Sequence, residues 1–121
     1  MTDSEPEQND SLAAMLAGPT PEIDVEEKEE LFDLFGRAHV IPILNEFASA
    51  SDPRRFTDLR SRLDIPPTTL TERLQELTDA DFITRRSYDE IPPRVEYSAT
   101  EKTTDLVPMF EYLCRWAVYH Q

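Results

Sequence analysis

The sequence predicts a mainly α-helical fold with one small β-hairpin, an α+β arrangement. Two observations carry this. Apolar residues recur at helical spacing from Leu31 to Leu77, and again from Leu106 to the end. Between those stretches, after Asp81, the period drops to two, which is the spacing of a half-buried strand rather than a helix.

The elements follow in order. Residues 1–25 are polar and acidic, with Pro6, Pro19 and Pro21. Such a segment buries too little apolar surface to order itself, so it is expected to be a disordered tail. Its apolar patch, Leu12 to Leu16, is long enough for a transient helix or a docking peptide. From Glu26 to Phe35, residues Leu31, Leu34 and Phe35 form the apolar face of a first helix, and Gly36 ends it. A second helix is expected from Arg37 or Ala38, with Val40, Ile41, Ile43, Leu44 and Phe47 facing inward. Pro42 then falls in its first turn, where a missing N–H is harmless.

Ser49 to Pro53 reads as a loop. Phe56, Leu59 and Leu63 mark a short third helix, and Asp64-Ile65-Pro66-Pro67 a tight turn. Leu70, Leu74 and Leu77 at i, i+4, i+7 mark a fourth helix that starts at Pro67 and ends near Asp79 or Ala80. Residues 82–88 and 94–98 read as two strands joined through Pro92-Pro93, with Val95 and Tyr97 on one face. Thr100 is positioned to cap a last helix ending near His120. Its apolar stripe holds Leu106, Met109, Phe110, Leu113, Trp116 and Ala117.

Two short helices joined by a tight turn, then a two-stranded hairpin, make a winged helix-turn-helix spanning residues 26–121. The terminal stripe is too broad for a small core alone. A surplus apolar face usually marks a partner surface, here expected to be a second copy of the chain.

The residues of the helix pair and hairpin resemble a known family. Arg55-Phe56-Thr57-Asp58-Leu59-Arg60 and the run Ile65 to Leu77 are similar to the helix-turn-helix of the HxlR family of winged-helix regulators. The run Arg86 to Tyr97, with its Pro92-Pro93-Arg94-Val95-Glu96-Tyr97, resembles that family's wing. The resemblance covers about residues 31 to 118. It implies a homodimeric transcription regulator that binds double-stranded DNA, with the fourth helix in the major groove and the wing near the minor groove. Some members of the family sense oxidants through a cysteine near the start of the domain. This chain has none before Gly36, and its one cysteine, Cys114, lies in the terminal helix. The family's Gly-Gly-Lys-Trp stands here as Gly36-Arg37-Ala38-His39, and the glycine before its wing as Asp81.

With the three leucines inward, the opposite face of the fourth helix offers Thr68, Thr69, Thr71, Arg73 and Gln75. Hydroxyls near a helix start suit phosphates and thymine methyls, arginine suits guanine and glutamine suits adenine. Alternatively, Thr68 and Thr69 only cap the helix. Arg94, beside rigid prolines, suits a narrow minor groove; its alternative is an ion pair with Glu90 or Glu96. Of Arg85 and Arg86, on opposite faces of one strand, Arg86 is the expected contact. Arg54 and Arg55 are expected to hold phosphate, or else to be solvated surface. Cys114 is expected to be an inert buried thiol, or to pair with its mate across a dimer seam. His39 is expected to pack in place of an aromatic.

The net charge of −13 is unusual for a DNA binder, but it is unevenly spread. Residues 1–30 hold ten carboxylates and one lysine, whereas residues 53–94 hold eight arginines and eight carboxylates. Ten arginines against two lysines, in so acidic a chain, resemble the cytosolic proteins of salt-accumulating archaea. The charge also leaves open a winged helix that binds proteins and has lost DNA binding. The chain has only Gly18 and Gly36 and no nucleophile–base spacing, so no phosphate loop and no enzyme is expected. His39 and His120 have no partners at ligand spacing, so no metal or cofactor is expected, and no inducer is identified. No leader and no membrane-length apolar run is present, so the cytoplasm is the expected location.

Overall fold

The computed structural model describes residues 7–121, with side chains from Leu12 onward. The first six residues of the expected tail lie outside the described residues. The remainder of that stretch contains helix α1 (Glu7–Leu16). Leu12, Ala13, Ala14, Met15 and Leu16 are strong helix formers uninterrupted by glycine or proline, so local propensity goes further here than the polar composition suggests. Helix α2 (Val25–Phe35) starts at Asp24, whose carboxylate accepts the backbone N–H of Glu26 at 3.1 Å and of Glu27 at 3.4 Å. The chain divides into two compact units, one ending at Leu34 and one running from Phe35 to Gln121.

The second unit follows the expected order with two shifts. Helix α3 (Val40–Ala48) begins two or three residues later than the expected Arg37 or Ala38, because His39 before it is left-handed, with φ of 71°. Helix α4 (Phe56–Leu63) ends at Asp64, also left-handed, whose N–H donates to the Arg60 carbonyl at 3.0 Å. Helix α5 (Pro67–Asp79) follows directly, then strands β1 (Ile83–Tyr88) and β2 (Arg94–Ala99), paired antiparallel with Arg85 opposite Tyr97. The expected single terminal helix is instead two: α6 (Glu101–Thr104) and α7 (Val107–Tyr119). Pro108 is the reason. It has no N–H to give Thr104, and its ring would strike that carbonyl, so the helix breaks and restarts with proline in its first turn.

The core gathers Val40, Ile43, Leu44 and Phe47 of α3, Leu59 of α4, Leu70, Leu74 and Leu77 of α5, and Ile65, Phe82 and Ile83. A side chain of this kind contributes about 1.5–3 kcal/mol when fully buried. Two backbone features lock the hairpin to this core. Arg54, in the segment before α4, exchanges both N–H···O bonds with Tyr97 at 2.8 Å, so that segment pairs with β2. At the other end, α5 closes in a Schellman turn: Phe82 N–H donates to Leu77 O and Asp81 N–H to Thr78 O. Thr100 donates its hydroxyl to the Asp81 carbonyl at 2.7 Å, Thr103 donates its hydroxyl to the Phe82 carbonyl, and the Lys102 ammonium donates to the Ala80 carbonyl at 2.9 Å. Thr103 is fully buried in making this bond.

Asp81 holds the left-handed position of that turn, with φ of 67°. An L side chain there costs up to about 1–2 kcal/mol, less for aspartate than for most. Replacing Asp81 by Gly is therefore expected to raise stability by about 0.5–1 kcal/mol, and Asp81→Val to lower it by about 1–2 kcal/mol. Urea unfolding of the two variants checks this. A loss of stability in the glycine variant would mean that the carboxylate itself holds the turn.

Candidate nucleic-acid interface

Helix α5 carries the surface of interest, and its rotation is fixed by Leu70, Leu74 and Leu77, each nearly inaccessible. It opens Pro66-Pro67, and no side chain caps it. The capping role considered for Thr68 and Thr69 is thus not taken up. Thr68 is exposed and Thr69 half-buried, beside the free amides of the first turn. Thr71 is exposed, with its hydroxyl donating to the Pro67 carbonyl at 2.9 Å, which leaves its oxygen able to accept a hydrogen bond. Gln75 is exposed, and its amide donates to Asp79 at 2.9 Å. Glu72 shares this outer face.

Arg73 is not on that face. Its side chain is only 16% exposed. It donates through Nε to the Ala38 carbonyl at 2.9 Å and through Nη1 to both carboxylate oxygens of Glu76 at 3.1 Å. Glu76 also holds Arg37 at 3.1 Å. The reason is helical geometry: Arg73 lies three residues after Leu70 and four before Leu77, beside the buried stripe. In this state the guanidinium braces α5 against the turn before α3 and is not an open DNA contact.

Arg94 is similarly committed. Its guanidinium donates to Glu90 at 2.8 Å and to Glu96 at 2.9 Å, and it lies 3.9 Å from the centre of the Tyr88 ring. The hydrogen bond to Glu90, above all, raises its pKa above the ordinary value. The ion pairs weighed as the alternative have therefore both formed. Arg86 stacks on Tyr88 from 4.8 Å and has no acidic partner among the described residues. Arg54, expected to hold phosphate, is half-buried with Nε 3.3 Å from Glu46, which also takes Arg62 at 3.1 Å. Arg55 starts α4, its backbone N–H held by Asp58 at 3.1 Å, and its side chain is exposed.

Arg85 is the residue that sequence reasoning passes over in favour of Arg86. It lines a groove with Thr71, Leu74, Gln75, Thr78 and Tyr97, between α5 and the wing. Strand parity decides this: Ile83 is buried against the core, so Arg85 shares its face and Arg86 does not. Because Phe82 and Ile83 are both apolar, the sequence alone leaves the parity ambiguous.

On the terminal helices, Leu106, Met109 and Phe110 are half-buried. From Glu111 onward every side chain is exposed, including Leu113, Ala117, Trp116 at 53% and Tyr119 at 84%. Cys114 is exposed rather than buried, so the inert-core reading does not hold. His39 is half-buried. No described helix is long and apolar enough to cross a membrane.

Comparison with known proteins adds to this geometry. Residues 36–121 match the family model described as HxlR-like helix-turn-helix. An uncharacterized HTH-type transcriptional regulator of Halalkalibacterium halodurans is 40% identical over 70 residues, which is 57% of this chain and 62% of that protein. The regulator YvaP of Bacillus subtilis is 30% identical over 90 residues, 74% of this chain and 82% of that one. The chain spans about half to three-fifths of the length of several such relatives. Among solved structures, the reduced form of the transcriptional regulator YodB from B. subtilis superposes with a TM-score of 0.67 at 29% identity, covering 78% of this chain and 92% of that one.

The cage around Arg94 makes a prediction about the wing. Arg94→Ala leaves Glu90 and Glu96 without their shared cation and strips one face of Tyr88. Amide exchange is expected to quicken from Ser87 to Tyr97 while the amides of α5 keep their protection. Unchanged exchange in the hairpin would show that its pairing with Arg54 suffices to hold it.

Proposed function

The chain belongs to the HxlR-like helix-turn-helix family, and from that membership we propose that it is a sequence-specific DNA-binding transcription regulator of the cytoplasm that works as a homodimer. Helix α5 enters the major groove, and the β1–β2 wing lies over the adjacent minor groove. The observation that carries this is the open face of α5. Thr68, Thr71 and Gln75 are exposed on it, Arg85 lines the groove beside it, and Arg55 before α4 and Arg86 on the wing are exposed with no acidic partner among the described residues. Thr71 and Gln75 meet base edges, while Thr68, Thr69 and Arg55 meet phosphate. Two helices so placed on a twofold axis read two half-sites.

The second copy docks on α7. Leu113, Trp116 and Ala117 are exposed among the described residues, and Leu106, Met109 and Phe110 are half-buried. Aromatic side chains of this size dominate the energetics of such interfaces.

A second reading, a winged helix that binds protein rather than DNA, is favoured by one observation: Arg73 and Arg94 are already neutralised by carboxylates. Binding to the chain's own upstream region, measured by anisotropy across salt concentrations, separates the two. A regulator binds that duplex specifically. Thr71→Ala or Gln75→Ala is expected to cost about 1–3 kcal/mol of discrimination at the base pair that the side chain reads. The salt dependence is expected to be shallow, since few arginines are free to displace counterions. No specific binding by a folded dimer at any salt would favour the protein-binding reading. Trp116→Glu is expected to convert the dimer to a monomer in light scattering and to weaken binding to a two-half-site duplex far more than to one half-site. A dimer that persists would place the interface elsewhere.

A further inference from the structure

Among the described residues, five of the ten arginines form ion pairs within the chain: Arg37, Arg54, Arg62, Arg73 and Arg94. The remaining five differ in where they stand. Arg115 lies on α7, Arg55 and Arg60 belong to α4 and its start, and Arg86 stacks on Tyr88. Arg85 alone lies in the groove between α5 and the hairpin. It is exposed, and among the described residues no carboxylate, carbonyl or ring engages its guanidinium. Its strand position is rigid: Ile83 on the same face is buried, and Tyr97 opposite is fixed by two hydrogen bonds to Arg54. The opposite wall of the groove is the α5 edge that carries Thr71 and Gln75. A charged, unpartnered fork is thus held beside the helix in a chain whose other wing cations are stacked or neutralised.

We infer that Arg85 is the residue that fixes this domain's register on DNA, by gripping one phosphate of the strand that passes between the major groove filled by α5 and the minor groove under the wing. It takes this role only if the chain binds duplex DNA as proposed above. A guanidinium grips phosphate through paired N–H···O bonds, so its placement constrains orientation as well as charge. Phosphate, rather than a base edge, follows from its place. Arg85 stands in the first half of β1, on the wing wall of the groove whose other wall carries Thr71 and Gln75, and a residue between helix and wing meets the backbone that separates the two DNA grooves. Arg94, the sequence's more conspicuous arginine, instead stiffens the wing.

The test compares wild type, Arg85→Ala and Arg85→Lys on the upstream duplex and on a scrambled duplex of equal length, by anisotropy across a series of potassium chloride concentrations. Arg85 has no partner to lose, so thermal unfolding should be unchanged and serves as the folding control. Arg85→Ala is expected to weaken both duplexes by the same factor, about tenfold for each subunit of the dimer and so about a hundredfold for the dimer. It should also lower the slope of log affinity against log salt by about two relative to wild type, about one for each subunit of the dimer. Arg85→Lys should keep the slope while losing part of the affinity. If wild type binds the upstream duplex and Arg85→Ala matches it within twofold at equal slope, Arg85 does not touch the DNA. If Arg85→Ala weakens only the upstream duplex, the arginine reads a base and the phosphate assignment is wrong. If wild type binds neither duplex, the DNA-binding reading falls, and the role of Arg85 falls with it.

Discussion

The rotation of α5 about its own axis is the constraint on which the rest of this structure depends. Leu70, Leu74 and Leu77 share one side of the helix and are all but sealed from solvent. A rotation by one residue, about 100°, would bring polar groups to the core and expose at least one of the three leucines. The cost of exposing even one, about 1.5–3 kcal/mol, exceeds anything a surface contact would return. The helix is then pinned at its end, where the Schellman turn through Asp81 meets the hydroxyls of Thr100 and Thr103 and the ammonium of Lys102. Rotation and end point together decide that Thr68, Thr71 and Gln75 face outward, and that Arg73 does not.

The second constraint is charge. Residues 35–121 hold fourteen carboxylates and eleven bases, so an arginine in this unit usually has an acid within reach. Glu46 takes two arginines, Glu76 takes two, and Arg94 takes two glutamates. Each pair is partly solvent-exposed, and singly such pairs contribute little to stability. Their larger effect is to remove cations from the surface. What remains unneutralised near α5 is a small set, and that set is better defined by the pairing than by a count of arginines.

Much of the fold is legible in the sequence because proline and leucine are unambiguous. The leucine spacing of α5, Pro67 at its first position and the Pro92-Pro93 break between the strands all lie where the residues put them. Other features are hidden for identifiable reasons. The Arg54–Tyr97 bridge uses only backbone groups, which leave no pattern in side chains. Pro108 sits inside a convincing apolar stripe, so periodicity conceals the break that its missing N–H enforces. Arg73 reads as outward if the leucines are taken as a line, but three helical positions at 100° steps make a band wide enough to take in its flank. Arg85 is hidden because Phe82-Ile83 offers two inward residues in succession and so no parity.

Arg94 shows how a correct motif can carry an incomplete physical assignment. The Pro92-Pro93-Arg94-Val95-Glu96-Tyr97 run does form the hairpin that the resemblance implies, and Arg94 does stand at its base. Yet the same run supplies Glu96 two residues on, on the same face of the strand, and Glu90 stands across the turn. Tyr88, two residues after Arg86 on β1, completes an enclosure of one cation by two anions and a ring. Withdrawing Arg94 from that enclosure for a phosphate would exchange two short charge-assisted hydrogen bonds for one or two others, with little net gain. A guanidinium bonded only to water gives up water alone and keeps the ordinary net gain of the new bond. The cation most able to add binding free energy is therefore the one without partners, and in the groove between helix and wing that cation is Arg85.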